Sequence, residues 1–87
     1  MHETGLVRDL IHRLDKIAHD ANAQRVTRAE IWLGALSHMS TSHFRHHFEE
    51  ESPGTLAENA ALTIELSEDP YHPDAQSVIM RNVELEM

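Results

Sequence analysis

The sequence predicts a small α/β protein in which two helices pack on a mixed three-stranded sheet, in the order α-β-α-β-β. Apolar residues recur every three or four positions near the start, and apolar and polar residues alternate in three later segments. Proline or glycine separates several of these segments. A chain of 87 residues is long enough for one hydrophobic core. We therefore expect residues 1–87 to form a single domain.

The first predicted element is an amphipathic helix. Its apolar stripe consists of Leu6, Val7, Leu10, Ile11, Leu14, Ile17, Ala18 and Ala21. A second, shorter helix is predicted to begin after a cap at Ser40 or Thr41 and to end at Ser52-Pro53-Gly54. Phe44 and Phe48 are one turn apart in it, so we expect both to point at the core.

Three strands are predicted from alternation. In the first, Arg25–Gly34, the expected inward residues are Thr27, Ala29, Ile31 and Leu33, and the outward ones are Val26, Arg28, Glu30 and Trp32. In the second, Ala61–Leu66, we expect Leu62, Ile64 and Leu66 inward. In the third, at the C-terminus, we expect Ile79, Val83, Leu85 and Met87 inward, with Arg81 interrupting the face. Residues 67–76 contain two prolines and are predicted to form a loop.

Because a helix connects the first two strands, they are expected to pair in parallel. The loop of residues 67–76 allows the third strand to return antiparallel. The sequence does not decide whether the two helices cover one face of the sheet or both.

Composition excludes several functions. A net charge of −8 disfavours nucleic acid and anionic lipid, and no apolar run approaches the roughly 20 residues of a membrane span. With neither a span nor a signal peptide, the chain is expected in the cytoplasm.

The chain contains no cysteine, which excludes disulfides and thiolate ligands. No catalytic motif is present, so an enzyme is not predicted.

The start of the chain offers a metal site. The amine of Met1, the imidazole of His2 and the backbone nitrogen between them are able to chelate one ion, and an all-nitrogen planar set suits Ni(II) or Cu(II). The alternative is a solvated terminus without a function.

Two further candidates come from the middle of the chain. His43 and His47 are four residues apart on the second helix and are able to face one metal ion, although solvated histidines give the same pattern. Trp32 lies on the strand face opposite Ile31. It is either an exposed aromatic for a partner or covered by a neighbouring loop or helix.

Several short motifs in order resemble the HypA/HybF family of nickel-incorporation proteins. They are Met1-His2-Glu3, Arg25-Val26-Thr27-Arg28, Leu33-Gly34-Ala35-Leu36-Ser37, Phe44 to Phe48 and Gly54-Thr55-Leu56-Ala57-Glu58-Asn59-Ala60. The resemblance covers roughly residues 1–66, and residues 77–87 resemble the family's closing strand. It implies a cytoplasmic metallochaperone that delivers nickel to the [NiFe]-hydrogenase large subunit with a HypB-like GTPase, and in some organisms serves urease.

The resemblance also implies a ligand set: Met1 through its amine, His2 through side chain and backbone, and Glu3 through its backbone amide. The family's zinc module, with two Cys-x-x-Cys pairs, has no counterpart here except residues 67–76, so no zinc is expected. Ser40 stands where some members carry an acid near the nickel. An adaptor that kept the fold but lost metal delivery is the alternative function, and the sequence leaves homo-oligomer formation open.

Overall fold

The computed structural model describes residues 3–87, with side chains from Gly5 onwards. Its elements follow the predicted order: α1 (Glu3–Asp20), β1 (Arg25–Leu33), α2 (Thr41–Glu51), β2 (Ala61–Leu66) and β3 (Val78–Glu86). The predicted class, two helices with a mixed three-stranded sheet, is confirmed.

Local signals in the sequence mark the end of α1 and the start of α2. After α1, Asn22 adopts a left-handed φ of 56°. The Ala23 N–H then bonds the Ala18 carbonyl at 2.9 Å and the Asn22 N–H bonds the His19 carbonyl at 3.0 Å, which is a Schellman motif. At the start of α2, the Ser40 hydroxyl accepts from the His43 N–H at 3.1 Å. These contacts satisfy backbone groups that the helices themselves leave unpaired.

The central strand is β1, which pairs parallel with β2 and antiparallel with β3. Both helices pack on the same face of this sheet, because residues of α1, α2 and alternate positions of β1 share one core. This core includes Val7, Leu10, Ile11, Leu14, Ala29, Ile31, Leu33, Phe44 and Phe48. Phe44 and Phe48 are buried as predicted. Burial of each such side chain contributes about 1.5–3 kcal/mol to stability.

A bulge in β1 corrects the predicted facing of two residues. Val26 pairs with Leu85 and Arg28 pairs with Glu84, so Thr27 is an extra residue on β1. Val26, predicted outward, is therefore buried in the core. Thr27, predicted inward, donates its hydroxyl hydrogen bond to the Glu84 carbonyl at 3.0 Å. Strict alternation fails here because the bulge changes the phase of the pleat.

A second bulge, in β3, changes which residues of that strand face the core. Glu30 pairs with Asn82 and Ile31 with Met80, which leaves Arg81 as the extra residue. The residues of β3 that pack against the core are Val78, Met80, Val83 and Leu85. Ile79, predicted inward, pairs instead with Trp32 on the opposite face. Two further predicted inward residues are exposed: Leu66 at the end of β2, and Met87 one residue past the end of β3.

The segment between β2 and β3 is a series of turns that packs closely on the end of β1. The Gly34 N–H donates to the Ser77 carbonyl at 2.9 Å and the Leu36 N–H to the Ala75 carbonyl at 2.7 Å. A Cβ at Gly34 would lie 2.1 Å from the Ala75 carbonyl oxygen. Glycine is therefore required at position 34 by the close approach of two backbone segments.

Candidate metal site and partner surface

The predicted ligands at the start of the chain lie mostly outside the described residues. Met1 and His2 are not described, and Glu3 is described only as the first residue of α1. What the structure describes is the helix that follows them. A regular helix begins at Glu3, and its first two turns include Val7, which is fully buried.

The contact that fixes α1 against α2 near this end is between Arg8 and Glu51. Arg8 Nε and an Arg8 terminal nitrogen each donate to a Glu51 carboxylate oxygen at 3.2 Å. This bidentate hydrogen bond lowers the pKa of the Glu51 carboxyl and raises the pKa of Arg8. Desolvation opposes both shifts, while the Arg8 charge and, more weakly, His47 add to the lowering at Glu51.

His43 and His47 lie on the same side of α2 as Glu51, since the three positions are spaced by four residues along the helix. His47 is half-buried, whereas His43 is exposed. The neighbouring His46 is exposed and pairs with Glu50. Within residues 5–87, no cluster of three or more His, Asp or Glu side chains forms a metal site.

Trp32 is covered, so the structure corrects the interpretation of this residue as an exposed partner surface. Its side chain is only 4% exposed. The His72 ring lies 4.9 Å from the Trp32 ring centroid, and the Arg81 guanidinium lies 5.4 Å from it. Of the two alternatives that the sequence left open, the covering loop is the one observed.

His72 and Arg81 are residues whose role the sequence did not reveal. His72 Nδ1 accepts from the Asp74 N–H at 2.9 Å, which holds the imidazole in the tautomer protonated at Nε2. The position of His72 between Pro70 and Pro73 indicates a turn but not the contact with Trp32. Nothing local indicated the bulge that brings Arg81 to Trp32.

The face of the sheet away from the helices carries a polar network centred on Arg28. Arg28 forms ion pairs with Glu30 at 3.6 Å and Glu84 at 3.7 Å, and its Nε donates to Thr63 at 3.1 Å. Asn82 donates to Glu30 at 2.9 Å. Because two carboxylates outnumber the one guanidinium, this network does not attract an anionic ligand.

None of the helices in the described part of the chain is long and apolar enough to cross a membrane.

Comparison with known proteins identifies the family. Residues 1–71 match the family model described as "Hydrogenase/urease nickel incorporation, metallochaperone, hypA". Hydrogenase maturation factor HypA of Geotalea daltonii is 38% identical over 65 residues, which are 75% of this chain and 56% of that protein. The corresponding factor of Aquifex aeolicus is 32% identical over 66 residues, 76% of this chain and 57% of its own length.

Two solved structures share the fold. The Ni metallochaperone HypA from Helicobacter pylori superposes with a TM-score of 0.82 at 20% identity, over 99% of this chain and 98% of that one. A second HypA solution structure gives a TM-score of 0.76 at 21% identity, over 98% and 96% of the two chains.

The sequence match therefore places the chain in a family whose model is described as one of metallochaperones. The chain belongs to the HypA family of hydrogenase and urease nickel-incorporation proteins. It spans a little over half the length of the curated relatives that it matches, 56% in the case of the Geotalea daltonii protein.

Proposed function

We propose that this chain is a nickel-binding metallochaperone that acts in maturation of [NiFe]-hydrogenase, with urease as a second candidate target. The observation that carries the proposal is the match to the nickel-incorporation family over residues 1–71, a range that includes Met1-His2-Glu3. Nickel is the cargo in this proposal, and the protein holds it only until transfer.

The proposed ligands are the Met1 amine, the His2 imidazole and backbone nitrogen, and the Glu3 backbone amide. The chemistry of this donor set suits nickel, since amine, imidazole and deprotonated amide nitrogens favour planar Ni(II). The site requires a free amine at Met1. The start of α1 at Glu3 supports it, because ligands beside a rigid helix lose less conformational entropy on binding than ligands on a loose tail.

We also propose that residues 1–87 form one nickel-binding-type domain, with the turns of residues 67–76 in the place of the family's zinc module. The sequence has no cysteine, and a structural zinc site of the Cys-x-x-Cys kind needs thiolates. The residues present therefore do not suit a resident zinc of that kind.

In this proposal the protein is not an enzyme and acts in the cytoplasm. Its proposed partners are a HypB-like GTPase and the hydrogenase large subunit. Binding to nucleic acid or to a membrane is not part of the proposal. A net charge of −8 agrees with the exclusion of polyanionic partners.

The second candidate is an adaptor that kept the partner surface but lost metal delivery. One observation favours it: the chain lacks the cysteines that the family's zinc module needs. It predicts that the protein captures a maturation partner while binding nickel weakly.

Calorimetric titration with nickel separates the two functions. Untagged protein should bind one nickel per chain, while His2→Ala and a form extended by one residue before Met1 should not bind it. His12→Ala, a substitution on the polar side of α1, is the matched control and should bind normally. Circular dichroism should confirm the same fold in all forms. Equally weak binding by native and extended protein, with the partner still captured, would favour the adaptor. Equally tight binding by both would exclude the amino-terminal site.

A further inference from the structure

Strand β2 lies at one edge of the sheet, and its outer side carries backbone groups that no other strand of the described sheet pairs. Leu33 of β1 is in register with Leu66, yet its carbonyl accepts from the Ser67 N–H at 2.8 Å. The odd-numbered residues of β2 therefore direct their N–H and C=O groups toward β1. Leu62, Ile64 and Leu66 direct theirs to the outside.

This outer edge lacks most of the features that prevent an edge strand from pairing with another chain. Proteins usually protect such edges with bulges, prolines or charged side chains. The edge strand β3 has a bulge at Arg81, whereas the register of β2 with β1 runs without a shift. Strand β2 contains no proline, and Leu66 is 49% exposed at its end. The one protecting contact is a long hydrogen bond, 3.4 Å, from Arg45 to the Leu62 carbonyl.

The sequence of β2 is complementary to a second copy of itself. A two-fold axis at Ile64 places Leu62 opposite Leu66 of the second copy, and Ile64 opposite Ile64. These are the residues whose backbone groups point outward, so each opposite pair exchanges both hydrogen bonds. An axis at Glu65 would oppose two like charges. An axis at Thr63 would leave Leu66 beyond the paired residues.

Charges on the open face of the sheet agree with the axis at Ile64. In this arrangement Thr63 lies opposite Glu65 of the second copy. The Thr63 hydroxyl accepts from Arg28 Nε at 3.1 Å, so the incoming carboxylate approaches a guanidinium. Glu65 leaves 65% of its side chain exposed and keeps Arg81 at 3.9 Å in its own chain. By symmetry the same contact forms twice.

We propose that two copies of this chain associate through the outer edge of β2 and join their sheets into one six-stranded sheet. Both helices of each copy lie on the same face of this sheet, since α1 and α2 share one core. The proposal goes beyond the proposed function and does not depend on nickel. Because the shared contact is one pair of six-residue strands, the dimer is weak and reversible. Arg45 opposes association, since it has to release the Leu62 carbonyl first.

Sedimentation equilibrium of the full chain tests the proposal with two substitutions of opposite expected effect. Wild type should show a concentration-dependent monomer–dimer equilibrium. Leu66→Lys should weaken dimerisation about tenfold or more, since it removes two apolar cross-strand pairs. Arg45→Ala should strengthen it about threefold or more, because the Leu62 carbonyl is then open. Circular dichroism verifies that each variant is folded.

Matched controls separate the edge contact from the change in net charge. Ile17→Lys makes the same charge change at an apolar residue of α1 that is 37% exposed. Arg13→Ala removes an exposed arginine from α1. Both controls should dimerise like wild type.

Disulfide cross-linking tests the register, because the chain has no cysteine of its own. Opposite residues that exchange no hydrogen bonds have Cα atoms about 4.5 Å apart, a distance that a disulfide spans. Under mild oxidation, a mixture of Thr63→Cys and Glu65→Cys chains should form the mixed dimer faster than either variant cross-links with itself.

Three results would overturn the proposal. One is a wild type that stays monomeric up to about 1 mM. Another is a dimer that Leu66→Lys and Ile17→Lys weaken equally, which would indicate a different contact. The third is faster cross-linking of Thr63→Cys with itself than with Glu65→Cys. All three are measured without metal, so they leave the nickel titration to decide the proposed function separately.

Discussion

The Asp15 carboxylate accepts a hydrogen bond from the Leu56 N–H at 2.7 Å, across 41 residues of sequence. Through this contact α1 holds the turns that precede β2. Leu56 in turn offers its carbonyl to the Val26 N–H at 2.7 Å, at the start of the central strand. One carboxylate therefore orders the segment on which the parallel pairing of β1 and β2 depends.

Asp15→Ala should destabilise the fold. It leaves the Leu56 N–H without its charged acceptor, and hydrogen bonds to charged groups contribute about 1.5–3 kcal/mol. Chemical denaturation should show a loss of about that size, at its lower end because the Asp15 side chain is 31% exposed. Asp9→Ala, which removes an exposed carboxylate from the same helix, is the control and should change stability by less than about 0.5 kcal/mol.

Gly34→Ala and Gly5→Ala should have opposite effects. The new methyl group at position 34 meets the Ala75 carbonyl at 2.1 Å, so the turns of residues 67–77 must move. A cost of about 1–3 kcal/mol is expected. At Gly5 no atom lies within 4 Å of the new methyl group, and alanine in a helix is favoured over glycine by about 0.5–1 kcal/mol. Thermal unfolding of both variants measures the difference, and a stabilised Gly34→Ala would contradict the close packing.

The Arg8–Glu51 pair should make stability depend on pH in a specific direction. The pKa of Glu51 is lowered in the folded protein, mainly by its hydrogen bond to Arg8. The pair therefore stabilises the fold above the ordinary glutamate pKa of about 4.3, and this contribution disappears as the pH falls through the lower folded-state value. Arg8→Gln should be less stable than wild type at neutral pH, and the difference should vanish once the pH falls below the lowered pKa of Glu51. An NMR titration of Glu51 in both proteins is the direct measurement, and an unchanged titration in Arg8→Gln would contradict the assignment.

His72 should control the environment of Trp32. His72→Ala removes both the ring that covers Trp32 and the acceptor for the Asp74 N–H, at a cost of about 0.5–1.5 kcal/mol for the hydrogen bond. Trp32 is the only tryptophan in the sequence, so its fluorescence reports this contact directly and should shift to longer wavelength. His72→Phe keeps a ring but loses the acceptor, so it should destabilise the turn with a smaller spectral shift. His12→Ala should leave the spectrum unchanged.

Zinc should not be retained. Without thiolates, protein washed with a chelator should contain well under one zinc per chain by elemental analysis. One tightly held zinc per chain would instead indicate a site built from histidines, with His43 and His47 as the first residues to substitute.

The sequence by itself determined the elements and their order, because the signals involved are local. The spacing of Phe44 and Phe48 predicts one buried side of α2, and Ser40 and Asn22 mark helix ends through hydrogen bonds to residues within five positions. Such patterns need no knowledge of distant residues. The family resemblance and the proposed ligands Met1, His2 and Glu3 likewise come from the sequence, and the structure does not describe the first two.

Tertiary structure alone decided which strand residues face the core and which residues surround the histidines. The bulges at Thr27 and Arg81 arise from the pairing of β1 with β3, between residues 49 to 59 positions apart, so no alternation within one strand reveals them. Burial of Trp32 depends on a distant loop. The ion pair that joins α1 to α2 connects Arg8 and Glu51, which are 43 positions apart. Contacts of this kind form only when the core brings separate segments together, and for that reason they cannot be predicted from local periodicity.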